Sequence, residues 1–276
     1  MLEKLRRRIE QLLYLASHPI DHWRITQRLR TVQSGADRYT RFKYLGNYLA
    51  LGMRIKDRGR ALNSHYKLLD KVWTGATQAQ LRDGIVVWER QVSNDQPPLR
   101  IILETARASR EGELRLRFTF RSELFKITFL LSDGEPFQTD AKTVLFVGGA
   151  QGGSNCREET REASKHNGEI APSVMLLMAV QELAKLIEAE AVIAVRTRDQ
   201  LSSKYASTQM QLDYDSFWIS AGAILQSNYF RLPLENLSKS LSDLTHPHRR
   251  RTQRKGKMKA IVRAEIRLRL ARLSDK

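Results

Sequence analysis

The chain opens in a helical rhythm. Leu2, Leu5, Ile9, Leu12, Leu13 and Ala16 recur at three- and four-residue spacing, which predicts an amphipathic helix. Lys4, Arg6, Arg7 and Arg8 crowd its start. Two readings stand side by side: a surface helix with a solvated basic side, and a helix lying on anionic lipid. The stretch "YTRFKYLGNYLALGMRI" mixes aromatics with bases and predicts a second helix over Tyr39 to Arg54. A third is expected near Leu62 to Trp73. The period then shortens. "GIVVWERQ", "LRIILETARA", "ELRLRFTFR" and "FKITFLL" are short, partly alternating and rich in β-branched and aromatic residues, the pattern of strands. "SNDQPP" and "SREG" separate them with turn chemistry. An antiparallel meander from about Gly84 to Leu131 follows from this, closed by the loop "SDGEPFQTDAK".

Beyond that loop the order changes to strand, helix, strand, helix, strand. "TVLFVGG" is an apolar strand. Pro172 suits the first turn of a helix, and Val174 to Val180 are continuously apolar, so that helix is expected to be buried on a sheet. "AVIAVRT" has the texture of a strand inside a parallel sheet, which implies a right-handed crossover. "DYDSFWISAG" predicts a short helix with Asp213 or Asp215 near its start, and "SNYFRLPL" a last strand ending at Pro233. The tail "HPHRRRTQRKGKMK" reads as a basic linker; "AIVRAEIRLRLARL" fits either a helix or a strand. The expected organisation is α+β. It has a helical N-terminal region (1–78), a core of meander plus mixed-sheet βαβαβ (79–245), and a basic C-terminal tail (246–276).

Composition narrows the partners. The net charge of +17 favours an anionic membrane surface, an acidic carrier protein or nucleic acid. The basic tail lacks interleaved aromatics and any recognition motif, so contact with nucleic acid would be sequence-blind and salt-sensitive. A single cysteine, Cys156, rules out an internal disulfide and a multi-cysteine zinc site. His246 and His248 alone make no metal centre. No apolar run approaches the ~18 residues of a membrane span, and the start does not read as a signal peptide. A cytoplasmic protein is expected, with peripheral attachment to the inner membrane as an extension of the charge argument.

The stretch "TVLFVGGAQGGSNCREETREAS" carries the chemistry. Gly148, Gly149, Gly152 and Gly153 permit close backbone approach. A P-loop fits Gly148 and Gly153 but lacks the lysine that should follow, since Ser154 stands there. A dinucleotide fingerprint fails at Ala150. A third scheme is the pyrophosphate loop of GNAT-type acyltransferases, where a strand ends in a glycine turn that holds coenzyme A phosphates. The order of elements here is similar to theirs, but the polar segment Ser154 to Ile170 intervenes before the next helix. Phosphate cradle and tight glycine corner both stay open. Arg157 and Arg161 could add charge to a phosphate. Arg196 and Arg198 follow a buried strand at its carboxyl end, where α/β sheets place ligands. Cys156 as a nucleophile would need a base, and His166 is the nearest candidate in sequence. Tyr214 and Trp218 share one helix face; core packing is the plain reading, and Tyr214 as a general acid the sharper one.

Taken in order, "VLFVGGAQGG", "PSVMLLMAVQELAKLI", "AVIAVRTR", "DYDSFW" and "NYFRLPL" resemble the VirK/YbjX family of bacterial proteins, over roughly Tyr39 to Arg251. The resemblance implies a Gram-negative cytoplasmic or membrane-associated protein. It also implies links to virulence, surface composition and resistance to cationic antimicrobial peptides. It supplies no catalytic residues. Joined to the GNAT comparison, it leads to the expectation of an acyltransferase-like factor with a coenzyme A or acyl-carrier donor. The alternative is a non-enzymatic basic protein that binds RNA or membrane.

Overall fold

The computed structural model describes residues 2–32, 42–205, 212–235 and 246–274. The side chains of Leu2, Lys4, Arg7, His246 and His248 lie outside that description. Eight strands form one open sheet in the order β1-β2-β3-β4-β5-β6-β8-β7. They are β1 (Ile85–Arg90), β2 (Leu99–Thr105), β3 (Leu114–Thr119), β4 (Glu123–Ser132), β5 (Val144–Gly152), β6 (Ala191–Ala194), β7 (Ile224–Gln226) and β8 (Tyr229–Leu232). All neighbours are antiparallel except β5 and β6. The chain is therefore a mixed α+β protein built on a mostly antiparallel sheet.

The meander follows from alternation. Leu99, Ile101 and Leu103 of β2, Leu114, Leu116 and Phe118 of β3, and Ile127 and Phe129 of β4 are buried, and the pairings Ile101↔Phe118 and Leu116↔Ile127 put them on one face. The alternate positions carry Arg100, Glu104, Arg115, Arg117 and Lys126. On that second face Arg115 and Arg117 both pair with Glu104. The apolar face packs against α6 (Pro172–Leu186), whose run Met175 to Ala184 is buried as its composition predicts.

Helices α1 (Leu2–Ser17), α2 (Pro19–Val32), α3 (Ile55–Val72) and α4 (Gly75–Asp83) precede the sheet. The helix expected over Tyr39 to Arg54 does not continue past Phe42. A short 3-10 turn, Lys43–Leu45, gives way to an irregular run with Leu49 at φ 67 and Gly52 at φ 75. There the backbone bonds leave the segment: Leu49 N–H donates to Arg110 O (2.8 Å) and Leu51 N–H to Asp199 O (2.7 Å). Tyr39, Thr40 and Arg41 lie outside the described residues.

The C-terminal segment is one 29-residue helix, α8 (His246–Ser274), and not a linker. Met258, Val262, Ile266, Leu270 and Leu273 recur mostly every fourth residue; Val262, Ile266 and Leu270 are fully buried and the other two pack against the core. This stripe lies on α6 and β1. Trp88 Nε1 donates to Glu265 Oε2 (2.7 Å), while Arg263 and Arg267 close on the buried Glu182 at 2.7 and 2.8 Å. The bases that suggested a solvated tail are in part clamps on the core.

A polar cluster joins the N-terminal segment to the sheet. Glu113, buried at the start of β3, pairs with Lys43 and accepts from Tyr48 (2.5 Å) and Tyr66 (2.6 Å). Beside it, His65 Nδ1 accepts Leu131 N–H at 3.1 Å. Burial holds the His65 pKa down at about 4, against Glu113, which pulls it upward. Between pH ~6.5, where a free imidazole titrates, and 4, the unfolded chain binds a proton that the folded one does not. His65 therefore contributes stability above that window and loses it as pH falls through it, up to about 3 kcal/mol. Thermal unfolding from pH 7 to 4 should show this loss. His65→Asn, which keeps an acceptor but does not titrate, should flatten the slope over that interval.

Candidate ligand cleft

Strands β5 and β6 run parallel in the register Val144↔Ala191 to Val147↔Ala194. Then they part. The last bond between them is Val195 N–H to Val147 O, 3.0 Å. β5 continues to Gly152 against β4, with a bulge: Phe129 pairs with Val147 and Thr128 with Gly149, leaving Gly148 as the extra residue. β6 instead leads into the turn Thr197–Asp199. A cleft of about 240 Å³ opens at this split, lined by Ala150, Gln151, Gly152, Thr197, Gln200, Ser202, Leu212 and Tyr214.

Each wall is fixed by local chemistry. Asp213 caps α7 (Tyr214–Ser220) by accepting from Ser216 N–H. Thr197 N–H donates to Asp215 (2.7 Å), Asp215 N–H donates back to Thr197 Oγ1 (3.0 Å), and Trp218 Nε1 donates to Val195 O (2.9 Å). Helix and β6 turn are thus tied together, and Tyr214 is aimed at β5. Its hydroxyl oxygen accepts Ala150 N–H at 2.8 Å, which leaves the phenol proton to be given. Burial, reinforced by Glu111, raises the Tyr214 pKa well above the ordinary tyrosine value.

Glu111 sits under this wall. Gln200 Nε2 donates to its Oε1 at 2.7 Å and Gln151 Nε2 at 3.4 Å. Burial raises its pKa above the usual carboxylate range, with Gln200 and Lys126 pulling the other way. The site therefore combines a protonated phenol, a carboxyl group that holds its proton more tightly than usual, and two amides that orient them.

The four glycines have a different task from a loop. Gly148, Gly149 and Gly152 belong to β5, and Gly153 follows it. A side chain at Gly148 would overlap the Glu111 carbonyl oxygen, one at Gly149 the Glu111 carboxylate, and one at Gly153 the Glu123 carbonyl oxygen. These positions are empty because another segment of chain crosses them. Gly152 differs: the nearest atom to its missing Cβ is Phe125 Cδ2 at 3.9 Å, and it faces the cleft.

The polar segment from Ser154 to Ile170 contains α5 (Arg157–His166). Glu159 binds the backbone of the β3–β4 turn, accepting from Arg121 N–H (2.7 Å) and Ser122 N–H (2.8 Å), and Arg121 grips Glu162 through two bonds of 2.7 Å. Arg157 and Arg161 are exposed on α5 and do not line the cleft. Cys156 and His166 stand at opposite ends of α5, about 15 Å apart along its axis, so they form no nucleophile–base pair. The thiol is satisfied locally, by Gly153 O at 3.1 Å. Arg196 and Arg198 flank the cleft residue Thr197; Arg198 pairs with Asp199, whereas the buried Arg196 Nε has no hydrogen-bond partner among the described residues. Of the residues singled out in sequence, Tyr214 and Gly152 line the cleft and Arg196 and Arg198 border it. Glu111, Gln200 and Thr197 were missed. No local motif marks them, because distant turns bring them together. Among the described residues no group of His, Cys, Asp or Glu is placed to hold a metal, and no helix is long and apolar enough to cross a membrane.

Fold and site define a mixed α+β protein with a small polar cleft where two parallel strands separate. The chain belongs to the family described as a protein of unknown function (DUF535), whose model matches residues 7–267. This is the domain of the VirK/YbjX proteins. No match was found among curated proteins or solved structures.

The glycines give a stability contrast. Gly148→Ala, which forces its methyl into a backbone oxygen, should cost about 1–3 kcal/mol. Gly152→Ala, with room for its methyl, should stay within about 0.5 kcal/mol of the parent. Urea unfolding of the two variants checks this.

Proposed function

We propose that the protein is an acyltransferase-like factor. Its cleft takes the acyl end of a coenzyme A or acyl-carrier donor, in support of envelope composition. The envelope, virulence and peptide-resistance part rests on the resemblance to VirK/YbjX proteins. The chemical part rests on one observation: β5 runs on past the point where β6 leaves it, with Tyr214 lining the cleft there and Glu111 behind its wall, bonded to Gln200. The order of elements around it is similar to that of GNAT-type acyltransferases, except that α5 intervenes before α6.

The residues suit one end of such a donor. At about 240 Å³ the cleft lies just below the ~300 Å³ at which small-molecule pockets begin. It therefore suits an acyl or pantetheine end and not a whole nucleotide. At the β5 edge vacated by β6, Ala150 N–H is taken by the Tyr214 oxygen, and strand alternation turns Gly152 N–H to the same edge. Gly152 N–H and the Tyr214 hydroxyl are thus the donors suited to stabilise an oxyanion. A bound acyl thioester would supply the activated acyl group. Tyr214 then serves as a proton donor, and Glu111 as the carboxyl that takes or holds a proton beside it. The donor's phosphates fall to Arg196 and Arg198. The first turn of α5, with Glu158 and Glu159, is unsuited to an anion.

Thermal unfolding with coenzyme A, with and without an acyl group, tests the reading at moderate and high salt. At ~100 times Kd a ligand adds about 2.7 kcal/mol, roughly 5 °C for a domain of this size. A salt-resistant shift is expected, retained in Gly152→Ala and lost in Gly152→Leu. A shift that vanishes with salt and ignores the acyl group would favour the non-enzymatic reading, in which the exposed bases of α8, such as Arg254, Lys257, Arg269 and Arg272, attract polyanions.

A further inference from the structure

The helices α1 and α2 are packed with the less expected side inward. Their contacts with the body are made by Gln11, whose Nε2 donates to Leu45 O (2.9 Å), by Tyr14, whose ring meets Tyr44 edge-on at 6.2 Å, by His22, bonded to the Tyr44 hydroxyl at 2.7 Å, and by the buried Ile25. The larger apolar set faces outward. Leu12 is 66%, Leu13 64%, Ile20 63% and Trp23 60% exposed, and Leu5 and Ile9 are also open to solvent.

These residues form one stripe. Hydrogen bonding continues across the junction, from His18 N–H to Tyr14 O and from His22 N–H to His18 O, so the two helices keep a common angular register. At 3.6 residues per turn, Leu5, Ile9, Leu12, Leu13, Ala16, Ile20 and Trp23 fall within an arc of roughly 100°. Arg8 borders the arc on one side, and on the other Arg24 and Arg6, the latter paired at the surface with Glu10 (3.1 Å); all three are exposed. Glu10 and Asp21 lie beyond the cations, away from the apolar arc. A contiguous apolar face left in water marks an interaction site.

We infer that this face docks on an anionic lipid bilayer, lying in its interface. The cations along both borders match a surface of negative headgroups, and the apolar arc sits at the depth of the acyl boundary. Trp23 takes the position in which a tryptophan prefers the interface. A protein partner or second copy would need complementary acidic and apolar groups, and this face presents no acidic side chain of its own to satisfy the opposing bases of a copy. The proposal is independent of what the cleft binds.

The test uses the full chain with vesicles that are one-quarter phosphatidylglycerol and otherwise phosphatidylethanolamine, against vesicles of phosphatidylcholine alone. Co-sedimentation and tryptophan emission are read together. Trp73, Trp88 and Trp218 are fully buried, so a blue shift on adding lipid reports Trp23. Binding to the anionic vesicles with a blue shift is expected, weakened but not abolished by high salt. L12E/L13E should lower the partition at least about tenfold with an unchanged unfolding temperature, since both positions are exposed. W23F should still sediment but lose the blue shift. The proposal is overturned if the wild type ignores anionic vesicles, or if L12E/L13E binds them as well as the wild type. It is also overturned if the face proves to hold two copies: a wild-type dimer that L12E/L13E turns into a monomer, with no lipid binding by either.

Discussion

The buried carboxylate of Glu113 is the constraint from which the rest of the architecture hangs. It takes a charge from Lys43 and two hydroxyl bonds, from Tyr48 and Tyr66. Two separate stretches of chain, 43–48 and α3, thereby converge on the residue that leads into β3. Such a pair adds little net stability over an apolar filling, but losing one partner strands a charge at a cost of about 3–5 kcal/mol. Its value is positional. With Glu113 held, the preceding turn is held too: Leu49 N–H reaches Arg110 O (2.8 Å), Ala106 N–H reaches Glu113 O (2.8 Å), and Gly112 is pressed on the backbone of Phe129. That turn carries Glu111 across the glycines of β5 to a place behind the cleft wall, where Gln200 and Gln151 bond to it. The floor of the site is therefore set by an ion pair that does not touch it.

Charge has two uses in this molecule, and net charge alone does not separate them. Part of the +17 is internal wiring. Arg263 and Arg267 neutralise Glu182, and Arg251 and Lys255 meet Glu169. These contacts help lay α8 over α6 and β1, where Val262, Ile266 and Leu270 join the core. Other cations, such as Arg254, Lys257, Arg269 and Arg272 of α8, face solvent. Treating every base as available overstates the second use.

The meander, the buried α6 and the Asp213-capped α7 were legible because each rests on local periodicity or a local cap. Leu99, Ile101 and Leu103 announce their face without reference to any other segment. The glycine run was not legible in the same way. Gly148 and Gly149 fitted both the end of the strand "TVLFVGG" and a glycine corner; they stay in the strand, and Glu111, almost forty residues earlier, occupies the space of their side chains. The aromatic segment before Arg54 failed as a helix for a related reason: its backbone groups found distant partners at Arg110 and Asp199. Of the site, Tyr214 was visible as an aromatic at a helix start, and Arg196 and Arg198 as the end of a buried strand. Glu111 and Gln200 were hidden in turns, where polar residues are ordinary and only tertiary placement distinguishes them.

Two glutamates, two residues apart, show how the fold divides structural from chemical work. Burial pushes both upward in pKa. At Glu113 the lysine, the neighbouring imidazole and the tyrosine bonds override burial and hold the carboxylate ionised. At Glu111 the compensation is an amide and a more distant lysine, burial prevails, and the pKa rises. Two carboxyl groups driven in opposite directions by their surroundings are the usual signature of divided roles. Glu113 is the fixed anion of the scaffold. Glu111 is the group that can change its protonation, and it lies where β5 and β6 open, beside a phenol whose own pKa is raised. The cleft thus owes its reactive character less to any residue type than to the lysine that was placed at Glu113 and withheld from Glu111.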